Sequence, residues 1–368
     1  MKILVLNTIM FTAENGIIPE VKSIKDTMMY NMCLGFKELG HNVTLAVGEE
    51  FRPVENETFD FEVLFFKSKY TKFFPPTILP YSVELKNYLK ANKERFDMVL
   101  SSEVFMFQSL FAARICPEKT LIWQELTNHQ KKFHQLPSKL WYNLVAKYFM
   151  NKVRVVVPRS DKAYKFISKY MTKVSDEIVD HGINIEKFAP SRNKKRQIIS
   201  SSQLIYRKNV DGIIRKFSLF HKMEGYEDVR LIIAGRGEEE DNLKSLVSDL
   251  KLDNFVYFVG FLPQKELGVY VSSSMAFLVN TRQDLNMVSI PESIVSGTPI
   301  LTNRQPASAG YIERYKLGIV KNDWNEFDIK DIIDGNALYV DNCINYRDNL
   351  TSTHSAKKLV DIFENYRG

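Results

Sequence analysis

Three stretches in the second half of the chain gather residue types suited to a charged, phosphorylated ligand. The segment "NTRQDLNMVSIPESIVSGTPILT" carries Asp284 and Glu292. A strand ending near Asn280 and a helix starting near Ile290 would aim the backbone N–H groups of residues 286–289 at an anion. Asp284 and Glu292 would flank that point, one able to hold sugar hydroxyls and the other ribose hydroxyls. The same letters also have a purely structural use: Ser289-x-x-Glu292 is a capping box, and Pro291 is at home in a first helical turn. In "SSQLIYRKNVDG", Arg207 and Lys208 fall where a strand runs into a helix. A guanidinium and an ammonium there could clamp a diphosphate, or could be an ordinary solvated basic loop. In "LIIAGRGEEEDNL", Gly235 and Gly237 follow a buried strand and open a helix. They let a backbone approach a phosphate or sugar, or merely permit a tight turn.

Those loops need strands and helices to position them, and the chain supplies both in alternation. Short, wholly apolar runs at 3–6, 43–47, 63–66, 98–101, 121–123 and 153–157 read as strands of a parallel sheet covered on both faces. Amphipathic stretches at 23–39, 82–92, 104–115, 138–150 and 160–169 lie between them. The alternation pauses at "HGINIEKFAPSRNKKR", residues 181–196, which reads as an interdomain linker. It restarts with strands at 197–202, 229–234, 255–259, 276–279 and 299–302 and helices at 210–221, 238–250, 264–272 and 290–296. A tail helix is expected at 354–366. Two doubly wound α/β domains are the economical reading.

Composition narrows the function class. The chain has 368 residues, enough for two domains with separate cores, and its 45% hydrophobic and 26% charged residues are those of a soluble globular protein. No apolar run is long enough to span a bilayer, and "MKILVLN" reads as a buried strand rather than a signal peptide. Cys33, Cys116 and Cys343 are scattered and odd in number, which fits a reducing cytoplasm and neither a disulfide framework nor a zinc site. A net charge of +6 is too small to imply nucleic acid as a partner.

Around the Asp284–Glu292 stretch the sequence resembles the retaining glycosyltransferases of family 4, which have the GT-B fold. Their signature is Glu, seven residues, Glu, then a small-residue helix and Gly-Thr-Pro. Asp284 and Glu292 have that spacing, and "ESIVSGTPILT" matches the helix and the Gly-Thr-Pro turn. The same alignment carries "HGINIEKFAP" onto the family's linker, "SQLIYRKNVDG" onto its phosphate-clamp loop, "LIIAGRGEEEDNL" onto its glycine turn and "VYFVGFLPQKEL" onto its base-binding loop. The first half matches through "MKILVLNT", Gly16 and "LGHNVTL".

The resemblance implies two Rossmann-like domains facing each other across a cleft. Residues 1–185 would form an acceptor domain and 186–368 a donor domain, with the last helix able to pack back on the first. It implies that Glu292 binds ribose hydroxyls, Asp284 the donor sugar and Lys208 the diphosphate. Asn286, Met287 and Val288 would touch the donor phosphate or sugar, Phe261 and Leu262 the base, and Gly16 a loop near donor and acceptor. Four departures stand out. Gln203 replaces the family's clamp arginine, with Arg207 a turn away. The first acid is Asp rather than Glu, and the glycines after it are missing. Gln124 and Glu125 occupy the place of a histidine, with His129 further on.

The implied reaction moves a sugar from a nucleotide-diphosphate sugar to a glycan or lipid-linked acceptor. It needs no metal and no cofactor, since the donor is a substrate and Lys208, Arg207 and the helix start can meet the charge on the leaving diphosphate. Glu125, His129 and His134 lie on the candidate acceptor side. Surface polysaccharide synthesis in the cytoplasm, at the inner membrane face, is the setting that analogy suggests. The stretch "QKKFHQLPSKLWYNLVAKYFMNKVR" mixes aromatics with lysines, and reads either as a surface for an anionic membrane or as a core helix with lysines in water. A nicotinamide-dependent oxidoreductase is disfavoured because no G-x-G-x-x-G turn comes after a first strand. A sugar-nucleotide epimerase on the same fold and a catalytically degenerate partner subunit remain as alternatives.

Overall fold

The structure, a computed structural model, describes all residues except 12–17, 19, 131–134, 284–286 and 367–368. It consists of two compact units, Met1–Gly182 with Thr351–Gly368, and Ile183–Leu350.

The first unit is built on six parallel strands: β1 (Lys2–Leu6), β2 (Asn42–Gly48), β3 (Glu62–Phe66), β4 (Met98–Ser102), β5 (Thr120–Gln124) and β6 (Val155–Pro158), in the order β3-β2-β1-β4-β5-β6. The apolar runs are unbroken because both faces are covered. Ile3 and Val5 join one core cluster and Leu4 and Leu6 another, as a two-residue side-chain period requires. Helices α1 (Met28–Glu38), α2 (Val83–Asn92), α3 (Phe107–Ile115) and α4 (Leu136–Leu140) lie between them, Trp141–Met150 continues α4 as a π-helix, and α5 (Asp161–Ile167) follows β6.

The second unit repeats the plan with β7 (Gln197–Ser201), β8 (Arg230–Ala234), β9 (Val256–Gly260), β10 (Ala276–Val279), β11 (Ile300–Thr302) and β12 (Gly318–Val320), in the order β12-β11-β10-β7-β8-β9. Its helices are α6 (Val210–Phe220), α7 (Glu240–Asp249), α8 (Gln264–Ser273), α9 (Ser289–Val295), α10 (Ala309–Arg314), α11 (Glu326–Asp334) and α12 (Asn336–Tyr346). Helix α6 buries Val210, Ile213, Ile214 and Phe217, one face at helical spacing. The final helix α13 (Ser352–Asn365) belongs to the first unit: Leu359, Ile362 and Phe363 share a core with Met29, Cys33 and Phe36 of α1.

Several boundaries differ from the sequence reading. The expected helix at 23–39 begins only at Met28. Ser23 donates to Glu57 instead (2.6 Å), and Thr27 is the N-cap. The helix expected from residue 104 begins at Phe107, because the Val104 N–H is taken by the Gln124 side chain (2.9 Å). The unit boundary falls between Gly182 and Ile183, three residues before the expected division at 185/186. Most of the supposed linker at 181–196 is docked structure of the second unit. Arg347 donates to the carbonyls of Ile185 and Phe188 (2.6 Å each), and half-buried Lys194 donates to Ser272 (2.8 Å) and Thr298 (3.0 Å). Strand β12 and helices α10 to α12 were absent from the sequence reading.

Candidate active site

In each sheet the strand order reverses between two neighbours, β1 and β4 in the first unit, β7 and β10 in the second. Ligands of open α/β sheets bind beyond the carboxyl ends of strands at such a switch point. In the second unit the two loops leaving that point are laced together. The Arg207 carbonyl accepts from the Thr281 hydroxyl (3.1 Å) and the Arg282 N–H (2.9 Å). The Arg207 guanidinium donates to the Gln283 carbonyl (3.1 Å). The Arg282 guanidinium stacks 4.0 Å from the Tyr206 ring and reaches Asp211 at 3.3 Å. Asn303 donates to the Thr281 carbonyl (2.7 Å) from the next strand end. A turn at Tyr206–Lys208, continued by left-handed Asn209 (φ 55°), delivers the chain into α6. Arg207 and Lys208 thus sit at the carboxyl end of β7, and Arg282, which the sequence reading did not single out, joins them from β10. Gln203 is exposed on the same loop.

Gly235 and Gly237 have a steric reason. A Cβ on Gly235 would lie 1.8 Å from the Ser202 carbonyl oxygen, and one on Gly237 2.2 Å from that of Leu204. Leu204 exchanges main-chain bonds with this turn, donating to Arg236 and accepting from Glu239 (2.9 Å each). The glycines therefore let the β7–α6 loop lie against the β8–α7 turn. Their missing side chains are filled by the protein's own backbone, so their first role is to shape the clamp loop.

Glu292 stands half-buried in the first turn of α9. The capping-box alternative is not realised: Val288 is the N-cap and has no side-chain cap bond. Glu292 instead accepts from the Gln264 amide (2.7 Å), the first residue of α8. That bond ties α9 to the turn after β9, where Phe261 is 73% exposed and Leu262 half-buried. Met287 is buried in the core, whereas Val288 is exposed. Asp284 and Asn286 of the donor side, and Gly16 and His134 of the acceptor side, lie outside the described residues.

The carboxyl ends of β4, β5 and β6 hold a different constellation. Glu125, half-buried, pairs with Arg159 at 2.5 Å. Arg159 is buried, stacks 4.5 Å from the Trp123 ring and lies 3.0 Å from His181 Nδ1, which in turn lies 2.9 Å from Asp180. Burial opposes the charge on Asp180, but His181 and Arg159 outweigh it and hold its carboxyl below the usual range. Glu103, with left-handed backbone (φ 65°), accepts from the N–H groups of Glu125 (2.7 Å) and Leu126 (3.2 Å). Burial and the neighbouring Glu125 charge push its carboxyl up to about 8. Glu103, Arg159 and His181 were missed by sequence reasoning. The available signal was a charged residue directly after an apolar strand for Glu103 and Arg159, and none for His181.

His129 is committed to packing. Its ring nitrogens face the Ser138 hydroxyl (3.2 Å) and the Tyr170 hydroxyl (3.0 Å), and Phe166 meets its ring edge-on. Burial holds its pKa below the ordinary value. A cavity of about 450 Å³ lined by Lys2, Asn42 and Glu62 sits at the amino ends of β1, β2 and β3, away from these residues. Among the described residues, no three His, Cys, Asp or Glu side chains gather to hold a metal ion, and no helix is long and apolar enough to cross a membrane.

The family model for glycosyl transferases group 1 matches residues 183–337, nearly the whole second unit. That unit is similar to a group 1 glycosyl transferase domain. Both units have the Rossmann-like architecture of the GT-B fold. Among its relatives, the chain is 24% identical over 174 residues to an alpha-monoglucosyldiacylglycerol synthase of Streptococcus pneumoniae, covering 43% of this chain and 39% of that protein. It is 24% identical over 227 residues to the O-antigen biosynthesis glycosyltransferase WclY of Escherichia coli, covering 59% and 62%. These matches thus span less than two thirds of either relative. In fold, the chain is similar to Anabaena Alr3699/HepE solved in complex with UDP, with a TM-score of 0.67 and 12% identity over all of both chains. It is also similar to a glycosyltransferase from Rickettsia africae, with a TM-score of 0.68 and 13% identity over 99% of this chain and 97% of that one.

Proposed function

We propose that this protein is a metal-independent, retaining glycosyltransferase that moves a sugar from a nucleoside-diphosphate sugar to a glycan or lipid-linked acceptor in surface polysaccharide synthesis, working on the cytoplasmic side. The observation that carries the reading is the laced pair of loops at the β7/β10 switch point, which sets Arg207, Lys208 and Arg282 around one strand end. The group 1 match, the O-antigen relative and the UDP-bound neighbour support it.

In the proposed reaction, the bond from the anomeric carbon to the diphosphate oxygen breaks and its electron pair leaves with the diphosphate. Lys208 and Arg207 meet the growing negative charge, and fixed cations in place before the reaction need no reorganisation during it. The acceptor oxygen bonds to the anomeric carbon on the face the diphosphate leaves, and its proton passes to a leaving phosphate oxygen. Glu292 holds the ribose hydroxyls, its carboxylate oriented by Gln264. The exposed Phe261 ring offers a surface for the base. Asp284, outside the described residues, is assigned to the donor sugar by the resemblance to family 4 alone.

Incubating the chain with a panel of nucleotide-sugars, with mass spectrometry to find which one is consumed, tests the proposal. One donor should be converted to its nucleoside diphosphate, and Lys208→Ala and Glu292→Ala should each lower that conversion about tenfold or more in a folded protein. Sugar inversion without release would mark an epimerase. Nucleotide binding without turnover would mark a partner subunit. Unchanged turnover in both variants would remove the site assignment.

A further inference from the structure

The first unit carries an outward-facing apolar stripe that its own core does not use. On α4 and its π-helical continuation, Trp141, Tyr142, Ala146 and Met150 face the core, with the Trp141 ring donating to the Val104 carbonyl (2.9 Å). On the outer side Leu136 (59% exposed), Leu140 (50%), Leu144 (52%) and Tyr148 (66%) recur every fourth residue, with half-exposed Phe149 beside them. A second segment adjoins the same helix. Phe74 packs edge-on against Phe107 (4.9 Å) and Phe107 against Trp141 (5.2 Å), so the turn that exposes Tyr70 and Phe73 is continuous with the helix. Seven of the eight large apolar side chains exposed on this unit, among the described residues, belong to these two segments, all but Val54. Single exposed apolar residues are commonplace on protein surfaces, whereas a contiguous set marks a docking surface.

Charge indicates what docks. Residues 135–154 contain Lys139, Lys147, Lys152 and Arg154 and no Asp or Glu, and residues 63–83 contain Lys67, Lys69 and Lys72 and again no acid. Lys139 and Lys147 are exposed on the striped helix, and the Arg114 guanidinium lies 5.3 Å from the Phe149 ring. A second copy of the chain would bring the same cations against these, and protein interfaces are depleted in lysine at their centres. Leucine and aromatic side chains rimmed by lysines suit the boundary between acyl chains and anionic headgroups.

We infer that the Leu136–Met150 helix, with the Tyr70–Phe73 turn, is a docking surface for an anionic phospholipid bilayer, on which the protein lies without crossing it. Docking requires neither donor nor acceptor, so its failure would leave the transferase reading intact. The test is sedimentation of the full chain with phosphatidylcholine vesicles, with and without phosphatidylglycerol. The wild type should bind the anionic vesicles at least about tenfold more tightly than the neutral ones and be released by salt. The pair Lys139→Gln and Lys147→Gln, and separately the pair Leu140→Ser and Leu144→Ser, should each weaken binding about tenfold or more while leaving the circular dichroism spectrum and nucleotide binding unchanged. Equal binding to both vesicle types, or full binding by both variants, would overturn the inference. So would a dimer in solution that the leucine substitutions dissolve, because the face would then belong to a second copy.

Discussion

The carboxyl ends of the two sheets share a strand order and differ in how they satisfy charge. At β7 and β10 the loops are fixed largely through main-chain carbonyls, those of Arg207, Thr281 and Leu204 among them. Arg207 and Lys208 add cations to a framework that the backbone and two glycines already define. At β4, β5 and β6 the charges themselves are the framework: Arg159 binds Glu125, touches His181 and stacks on Trp123. Removing a charge from the second unit should therefore cost ligand handling and little stability. Removing one from the first should cost stability.

The largest effect tests the first half of that contrast. Lys208→Ala should lower turnover about 10²–10³-fold, the loss typical of one preorganised charge-stabilising group, with the thermal midpoint nearly unchanged. A lowered midpoint with retained turnover would make Lys208 a structural residue. Next comes Arg159→Met, which leaves Glu125 and Asp180 without their guanidinium. Urea unfolding should show a loss of about 3 kcal/mol, the low end for breaking a buried pair because Glu125 keeps partial access to water.

Glu292→Ala should weaken nucleoside diphosphate binding by about tenfold or more, as expected for losing hydrogen bonds to a charged group. Titration calorimetry reads it directly, and unaltered affinity would return Glu292 to a merely structural role. His129→Ala should cost about 1–2 kcal/mol through its two lost hydrogen bonds and leave turnover unchanged. Collapse of turnover without loss of stability would instead make His129 the acceptor base.

The last effect is a slope. Because Glu103 is pushed up to about 8, the folded protein keeps a proton that the unfolded chain releases near pH 4 to 5. Glu103 therefore favours folding most at the acid end of that window, and the contribution is lost as pH rises through 8. Glu103→Gln removes the titration, so unfolding free energy should vary less between pH 5 and 8 in the variant than in the wild type. An unchanged slope would assign the pH dependence elsewhere.

Much of the architecture was readable because parallel strands buried on both faces must be apolar throughout, and those runs fell within a residue or two of β1 to β5 and β7 to β11. Strand β12 escaped because "GIV" is three residues long, and α10 has only six. Helix starts shifted where a distant side chain claimed the backbone, as Glu57 does at Ile24 and Gln124 at Val104. For the site, position along the chain was enough to place Arg207 and Lys208 at a strand end. It could not reveal that Gln264 reaches Glu292 across 28 residues, or that Arg282 folds onto Tyr206 across 76. Nor could it gather Glu103, Arg159 and His181, which meet only once three strands are aligned.

Calorimetric titration of a nucleoside diphosphate, UDP first, into wild type, Lys208→Ala, Glu292→Ala and Glu125→Gln tests the central claim most directly, because it asks which unit binds the nucleotide. Affinity should fall about tenfold or more in the first two variants and stay at the wild-type value in Glu125→Gln. Wild-type affinity in Lys208→Ala and Glu292→Ala, with loss confined to Glu125→Gln, would contradict it.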